Sequence, residues 1–400
     1  MDLKAGEPFW LLKNGRPAVY PPLTSHLKCD VVVVGGGITG ALVCHQLVAE
    51  GIDTVLIDRR RIGTGSTGAS TSLLQYELDT PLCELRTQIG EPHAVACYKL
   101  CRDAIDKIEK LTSEIGDTCG FERKKSVYLA DSAREKPLFR SEYELRRKHG
   151  LRLDYLDRGD IENLFSFSRP AGFLSYDAGQ IDAYRMALSL VQWNALRGLR
   201  VFDQTELKRY ERSRSGFTIH LVGGWRIGAR RLVFATGYES QRFLRQQIGK
   251  VKSTYAIASE PMARFDGWHE RCLIWTSSRP YPYLRTSPDG RAIIGGEDID
   301  DSDETIRNGL MGKKAKRLQS VFHSFFPELK FQIAYAWAGA FGVTEDSVAY
   351  IGEPPEAPGV LFALGYGANG ILYGMIAAEI IRDACLHRKN PFASIFRFDR

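Results

Sequence analysis

Three glycines, Gly35, Gly37 and Gly40, sit in the run VVVVGGGITG between four valines and an apolar stretch of helical length. The spacing G-x-G-x-x-G suits a phosphate cradle. Gly35 permits a tight turn, Gly37 lets the backbone approach a pyrophosphate, and Gly40 lets a helix pack closely on a sheet. A helix opening at Ile38 and Thr39 would aim unpaired N–H groups and the positive end of its dipole at the phosphates. Asp58, followed by Arg59, ends the next apolar run, near the roughly 20-residue spacing at which an acidic side chain meets ribose hydroxyls. The alternative is a glycine turn that binds no nucleotide. The motif does not choose between NAD and FAD.

Residues 29–34, 38–50 and 54–58 read as strand, helix and strand within about 30 residues, a unit that implies a parallel sheet. Residues 1–28 read as an irregular lead-in, 63–71 (GTGSTGAST) as a hydroxyl-rich loop, and 94–116 as an amphipathic helix. Alternating segments follow at 126–130, 172–176, 201–207, 217–224 and 231–237. YPYLRTSPDGRAIIGGED, 281–298, reads as two strands joined by a PDG turn, and 303–326 as a basic helix. The tail is a strand, the glycine turn of GYGANGI (365–371) and a long helix. The expected fold class is α/β: a Rossmann-like domain interleaved with a mixed, largely antiparallel domain. Segments 1–95, 170–245 and 335–400 are expected to build the first, and 96–169 and 246–334 the second.

With 400 residues, 44% hydrophobic and 26% charged, the chain can bury a sizeable core without staples. The net charge of +6 is mild, and clusters such as RRR (59–61) and KKAK (313–316) are scattered, so no nucleic-acid partner is expected. The eight cysteines include no CxxC pair, which argues against a zinc ribbon or redox dithiol, and no metal site is expected. No signal peptide or membrane span is apparent, and a reduced cytoplasmic protein is expected.

The ordered motifs VVVVGGGITGALVCHQL, IDRRRIGTGSTGAST, RLVFATGYES, RAIIGGED and GYGANGI resemble the D-amino-acid oxidase superfamily of FAD enzymes, over essentially the whole chain. The run YPYLRTSPDGRAIIGGED looks most like the branch of glycine, sarcosine and γ-glutamylputrescine oxidases, the last above all. The resemblance implies FAD, contacted by Ser66, Thr67, Ser70 and Thr71 in the hydroxyl loop and by Ala235, Thr236 and Gly237 at a strand end. It adds Gly339, and Gly367, Ala368, Asn369, Gly370 and Ile371 at a helix N-terminus facing the flavin's pyrimidine oxygen. WAGAFGVT carries no cysteine where sarcosine oxidase attaches its flavin, so the FAD is expected to be non-covalent.

The resemblance also implies the reaction: hydride leaves a carbon bearing an amine for flavin N5, the resulting imine hydrolyses, and O2 or another acceptor reoxidises the flavin. Substrate-side candidates are Tyr283, Tyr281, Arg285, Glu297 and its neighbour Asp298, and Gln75, Tyr76 and Glu77, with ordinary packing or a solvated turn as the alternative. Phe341 and Ala368 stand where glycine oxidase grips a carboxylate with two arginines. Either Arg285 replaces them, or the substrate is a larger amine with its reacting carbon in an apolar slot. Ile293 stands where sarcosine oxidase has an oxygen-activating lysine, which leaves dehydrogenase activity open. The alternatives are an FAD-dependent 2-hydroxy-acid or glycerol-phosphate-type dehydrogenase, and a non-catalytic or tRNA-modification-linked flavoprotein.

Overall fold

The computed structural model describes residues 3–15, 18–364 and 366–400. Its strands form two sheets. In the smaller, the order is Tyr350–Gly352, Val360–Leu364, Arg226–Phe234, Leu27–Val34, Thr54–Ile57 and Arg200–Phe202, parallel except at the first pair. Leu207–Ser213 and Gly216–Leu221 hang from the first half of Arg226–Phe234 as an antiparallel meander. Val31 to Val34 are all buried, as expected of a parallel strand covered on both faces. Helices Ile38–Ala49 and Gly370–Cys385 cover one face and pack on each other. Most side chains along both are buried, so neither shows a broad polar stripe.

The larger sheet has ten strands, in the order Lys4–Gly6, Ile333–Val343, Lys250–Ser259, Ala292–Ile299, Tyr283–Thr286, Leu273–Thr276, Glu122–Leu129, Ala171–Gln180 and Leu73–Gln75, with Leu153–Asp157 also on Ala171–Gln180. All its pairs are antiparallel except Leu273–Thr276 with Glu122–Leu129. The helix Glu304–Phe325, capped by Asp303, covers its outer face.

The sheets interleave along the chain, though not at the expected borders. Lys4–Gly6, Leu73–Gln75, Ala171–Gln180 and most of Ile333–Val343 come from segments expected in the nucleotide-binding part, yet their backbones pair in the larger sheet. The lead-in is not irregular throughout. It contributes a strand and the helix Phe9–Asn14, whose Phe9 and Trp10 are buried against Trp337 and Ile293. The segment 201–207 is broken rather than continuous. Gln204 adopts φ +48° and buried Asp203 accepts the Ile62 N–H at 2.9 Å. Gly365, first glycine of the GYGANGI turn, lies outside the described residues.

Candidate active site

A long cleft runs between the two sheets and passes the N-termini of both central helices. At one end the chain turns sharply after Leu27–Val34. Gly35 adopts φ +106° and donates to Ile57 O at 2.8 Å. A Cβ there would lie 2.5 Å from Ala235 O, and one on Gly40 would lie 1.8 Å from Gly35 O. Glycine at both positions is therefore a packing requirement. Gly40 serves from behind the cleft, while Gly35, Gly37, Ile38 and Thr39 line it.

Asp58 lines the cleft beside this turn and accepts from Gly36 N and Arg60 N, each at 2.7 Å. Burial pushes its carboxyl up to about 6, against the pull of those two hydrogen bonds. Each oxygen keeps a lone pair beyond its backbone partner. Arg59 and Arg60 both pair with Glu239, which follows the strand end at Ala235, Thr236 and Gly237.

The hydroxyl loop is no surface loop. Ser66–Ala69 forms a 3-10 turn with Thr67 and Gly68 buried, and Thr67 Oγ1 accepts the Ile38 N–H at 3.0 Å. Ser66, Thr67, Ser70 and Thr71 all line the cleft, and Ser66 Oγ is buried with no hydrogen-bond partner among the described residues. Gly339, Gly367, Ala368, Asn369, Gly370 and Ile371 line the far stretch. Asn369 Nδ2 donates to Gln75 O at 2.9 Å and Glu77 O at 3.0 Å, tying this turn to the larger sheet.

The cleft ends against the larger sheet, among Gln75, Glu77, Asp79, Thr254, Trp275, Tyr281, Tyr283 and Asp298, with Phe341 and Ala368 alongside. Tyr281, Tyr283, Gln75 and Glu77, all substrate-side candidates, are among these lining residues. Tyr283 OH lies 3.1 Å from Thr254 Oγ1, and Tyr281 donates its hydroxyl to Asp79. Gln75 spends its amide on Ser126 Oγ at 2.7 Å. Glu77 is buried and raised above the usual carboxylate range by that burial, with Arg146 3.6 Å away opposing the shift. Its Oε1 accepts from Ser175, and its Oε2 has no side-chain partner.

Arg285 and Glu297 are elsewhere. Arg285 is wholly buried beneath the hydroxyl loop, where its Nη1 donates to Thr71 O (2.9 Å), Ser72 O (2.8 Å) and Ile181 O (2.8 Å). Trp10 covers its guanidinium at 5.2 Å, and burial lowers its pKa to about 9. Glu297 points away from the cleft to Lys314 (3.0 Å) and Arg317 (3.3 Å). The cause is a β-bulge. Tyr255 pairs with Gly296 and Ser253 with Ile299, so two residues oppose Thr254 alone, and Glu297 adopts φ +56°. Asp298 takes the cleft side instead, beside the Thr254 hydroxyl, with Oδ1 buried and unpartnered. Burial first, and Asp79 second among the raising causes, push it up to about 6. Ile293 does not line the cleft but packs with Trp337 and Trp10.

Asp79 was not among the expected residues, although Gln75, Glu77 and Asp79 alternate on one side of the chain. Trp275 carried no local signal, because its placement comes from a parallel pairing with the distant Tyr128.

The cleft fits a flavin dinucleotide on its own features. Glycines stand where any side chain would collide, neither central helix is capped by the side chain of its own N-cap residue (Gly37 and Asn369) at the end facing the cleft, and a buried hydroxyl lacks a partner there. A Rossmann-type sheet with such a cleft, closed by an antiparallel sheet, defines an FAD-dependent oxidoreductase. The chain belongs to the family described as FAD dependent oxidoreductase (DAO), whose model matches residues 30–384. It is 23% identical to glycine oxidase of Geobacillus kaustophilus over 91% of this chain and 95% of that one. It is 22% identical to γ-glutamylputrescine oxidoreductase of Escherichia coli, over 97% and 91% respectively. The solved L-proline dehydrogenase of P. horikoshii shares the fold, with a TM-score of 0.78 at 19% identity, over 94% of this chain and 99% of that one. No helix among the described residues is long and apolar enough to cross a membrane.

Proposed function

We propose that the protein oxidises the C–N bond of an amine, with the smaller sheet holding non-covalent FAD and the larger sheet presenting the substrate. The observation that carries this reading is the chemistry of the cleft's closed end. Its lining there includes three carboxylates, Glu77, Asp79 and Asp298, three aromatic rings, Trp275, Tyr281 and Tyr283, and, among the described residues, no arginine or lysine, while Arg146 lies behind Glu77 at 3.6 Å and Arg279 sits at the rim over the Tyr281 ring, 5.0 Å from its centroid. Such an end attracts an ammonium and repels the phosphate or carboxylate of a glycerol-phosphate or 2-hydroxy-acid substrate.

Bound FAD supplies the two-electron acceptor for the hydride that leaves the substrate carbon. The nitrogen lone pair forms a C=N bond as that C–H bond breaks, and water then cleaves the product to a carbonyl compound and free amine. The nitrogen must first be neutral. Glu77 Oε2, buried and held upright by Ser175 and Arg146, is the acceptor we assign to its proton. Phe341 and Ala368 give the reacting carbon an apolar wall, and Tyr281 and Tyr283 exclude water from the opposite side. The uncapped N-terminus of Gly370–Cys385 favours negative charge where it meets the cleft. None of the eight cysteines lines the cleft, in keeping with non-covalent binding.

Anaerobic titration of the FAD-loaded protein tests the reading. Primary or secondary amines should bleach the flavin absorption, and 2-hydroxy acids should not. Bleaching by hydroxy acids alone would overturn it. Admitting air afterwards separates oxidase from dehydrogenase.

A further inference from the structure

The closed end of the cleft holds more negative charge than one reacting amine can use. That amine must be neutral when its carbon gives up hydride, and Glu77 already has a buried guanidinium beside it, which Arg146 shares with Glu142 at 2.6 Å. Asp79 and Asp298 remain. The Asp79 carboxylate meets the Tyr281 hydroxyl, and Asp298 the Thr254 hydroxyl, and neither makes an ion pair among the described residues. The lysines nearest Asp298 are engaged elsewhere, Lys314 with Glu297 at 3.0 Å and Lys252 with Asp300 at 2.5 Å. At the rim, Arg279 donates to the main-chain oxygens of Asp79 (3.0 Å) and Ser278 (3.1 Å), not to a carboxylate.

The walls agree with a cation. Tyr281 meets Trp275 edge-on with centroids 5.9 Å apart and Tyr283 with centroids 6.0 Å apart, so the three rings form one aromatic surface beside the two aspartates. Ring faces and carboxylates together favour an ammonium group over an anion. Independently of these aspartates, Glu77 is among the residues lining the same cavity, and its buried Oε2 has no hydrogen-bond partner among the described residues.

Resting on the amine-oxidation reading above, we propose that the substrate is a diamine, whose second, protonated amino group is held between Asp79 and Asp298 while its neutral nitrogen and reacting carbon lie nearer Glu77, Phe341 and Ala368. The same arrangement disfavours an α-amino acid, whose carboxylate would have to lie beside Phe341 and Ala368 with no donor fork to receive it.

The test uses the FAD-loaded protein under anaerobic conditions with probes of one chain length: 1,4-diaminobutane, 1-aminobutane and 4-aminobutanoate. Both flavin reduction and perturbation of the flavin spectrum are followed. The diamine should half-saturate at a concentration at least about tenfold below the monoamine, with the amino acid weakest. In Asp298→Asn and Asp79→Asn, each checked for bound FAD by its absorption, the diamine-to-monoamine ratio should fall towards one. Equal responses to diamine and monoamine, or preference for the amino acid, would overturn the proposal and leave amine oxidation standing. A diamine that neither reduces nor perturbs the flavin overturns it as well. Reduction by hydroxy acids alone would remove the amine reading together with it.

Discussion

Arg285 Nη1 donates to Ser72 O at 2.8 Å, from a side chain with no exposed surface, and Ser72 itself adopts φ +59°. The guanidinium therefore holds the end of the hydroxyl loop in a backbone conformation that a non-glycine residue adopts only under constraint. Arg285→Met leaves the carbonyls of Thr71, Ser72 and Ile181 short of a buried donor. It should cost about 3 kcal/mol or more of stability and loosen FAD. Thermal unfolding with and without added FAD measures both effects. An unchanged midpoint and unchanged FAD affinity would show that the clamp is idle.

The glycine turn makes a graded prediction. A Cβ on Gly40 would come 1.8 Å from backbone Gly35 O, whereas one on Gly37 would come 2.9 Å from the Thr67 side-chain oxygen. Backbone cannot yield as a hydroxyl can. Gly40→Ala should abolish stable FAD binding, while Gly37→Ala should weaken it. Ultrafiltration followed by flavin quantification gives the ranking, and the reverse order would refute this packing account.

The bulge at Gly296 predicts opposite outcomes for neighbouring carboxylates. Glu297→Gln removes the partner of the buried Lys314 and should cost about 1–3 kcal/mol of stability with little effect on flavin reduction. Asp298→Asn should impair reduction by a cationic amine without that loss of stability. Paired melting and stopped-flow measurements decide it, and a catalytic defect in Glu297→Gln alone would place the wrong residue in the cleft.

Asp298 also predicts a pH dependence. Burial and Asp79 push its carboxyl from 3.8 to about 6, against the Thr254 hydrogen bond and the more distant Lys252 and Lys314. The folded chain then binds more protons than the unfolded chain between those values. Stability should fall as pH rises from 3.8 through about 6 and level off above. Asp58, also pushed up to about 6, adds a similar fall, so the difference from Asp298→Asn isolates the one group. Without substrate, that variant should exceed the wild type by about 1–3 kcal/mol at pH 8 and match it below pH 3.5. Denaturant unfolding at the two pH values measures this, and equal differences at both would contradict it.

Much of the cofactor end was legible because its signals are local. Gly35, Gly37 and Asp58 sit at strand ends whose positions follow from short apolar runs, and the turn at 367–371 abuts a helix that reads clearly. The substrate end was less legible. Period-two reasoning places Glu297 with Gly295 and Ile293, and one inserted residue reverses it in favour of Asp298. Arg285 shares a strand face with Tyr283, but the helix Phe9–Asn14 brings Trp10 over it, a contact 275 residues away in sequence. Asp79 continues the Gln75 and Glu77 alternation beyond the strand, where a pattern stops being trusted although the cleft does not stop.

Single-turnover product analysis tests amine oxidation most directly. The FAD-loaded protein is mixed anaerobically with the amine that bleaches it best, and reduced flavin, carbonyl product and released amine or ammonia are quantified together. The account predicts one equivalent of carbonyl compound and one of released nitrogen per flavin reduced. Flavin reduction by a 2-hydroxy acid, yielding a keto acid with no nitrogen released and no amine effective, would contradict it.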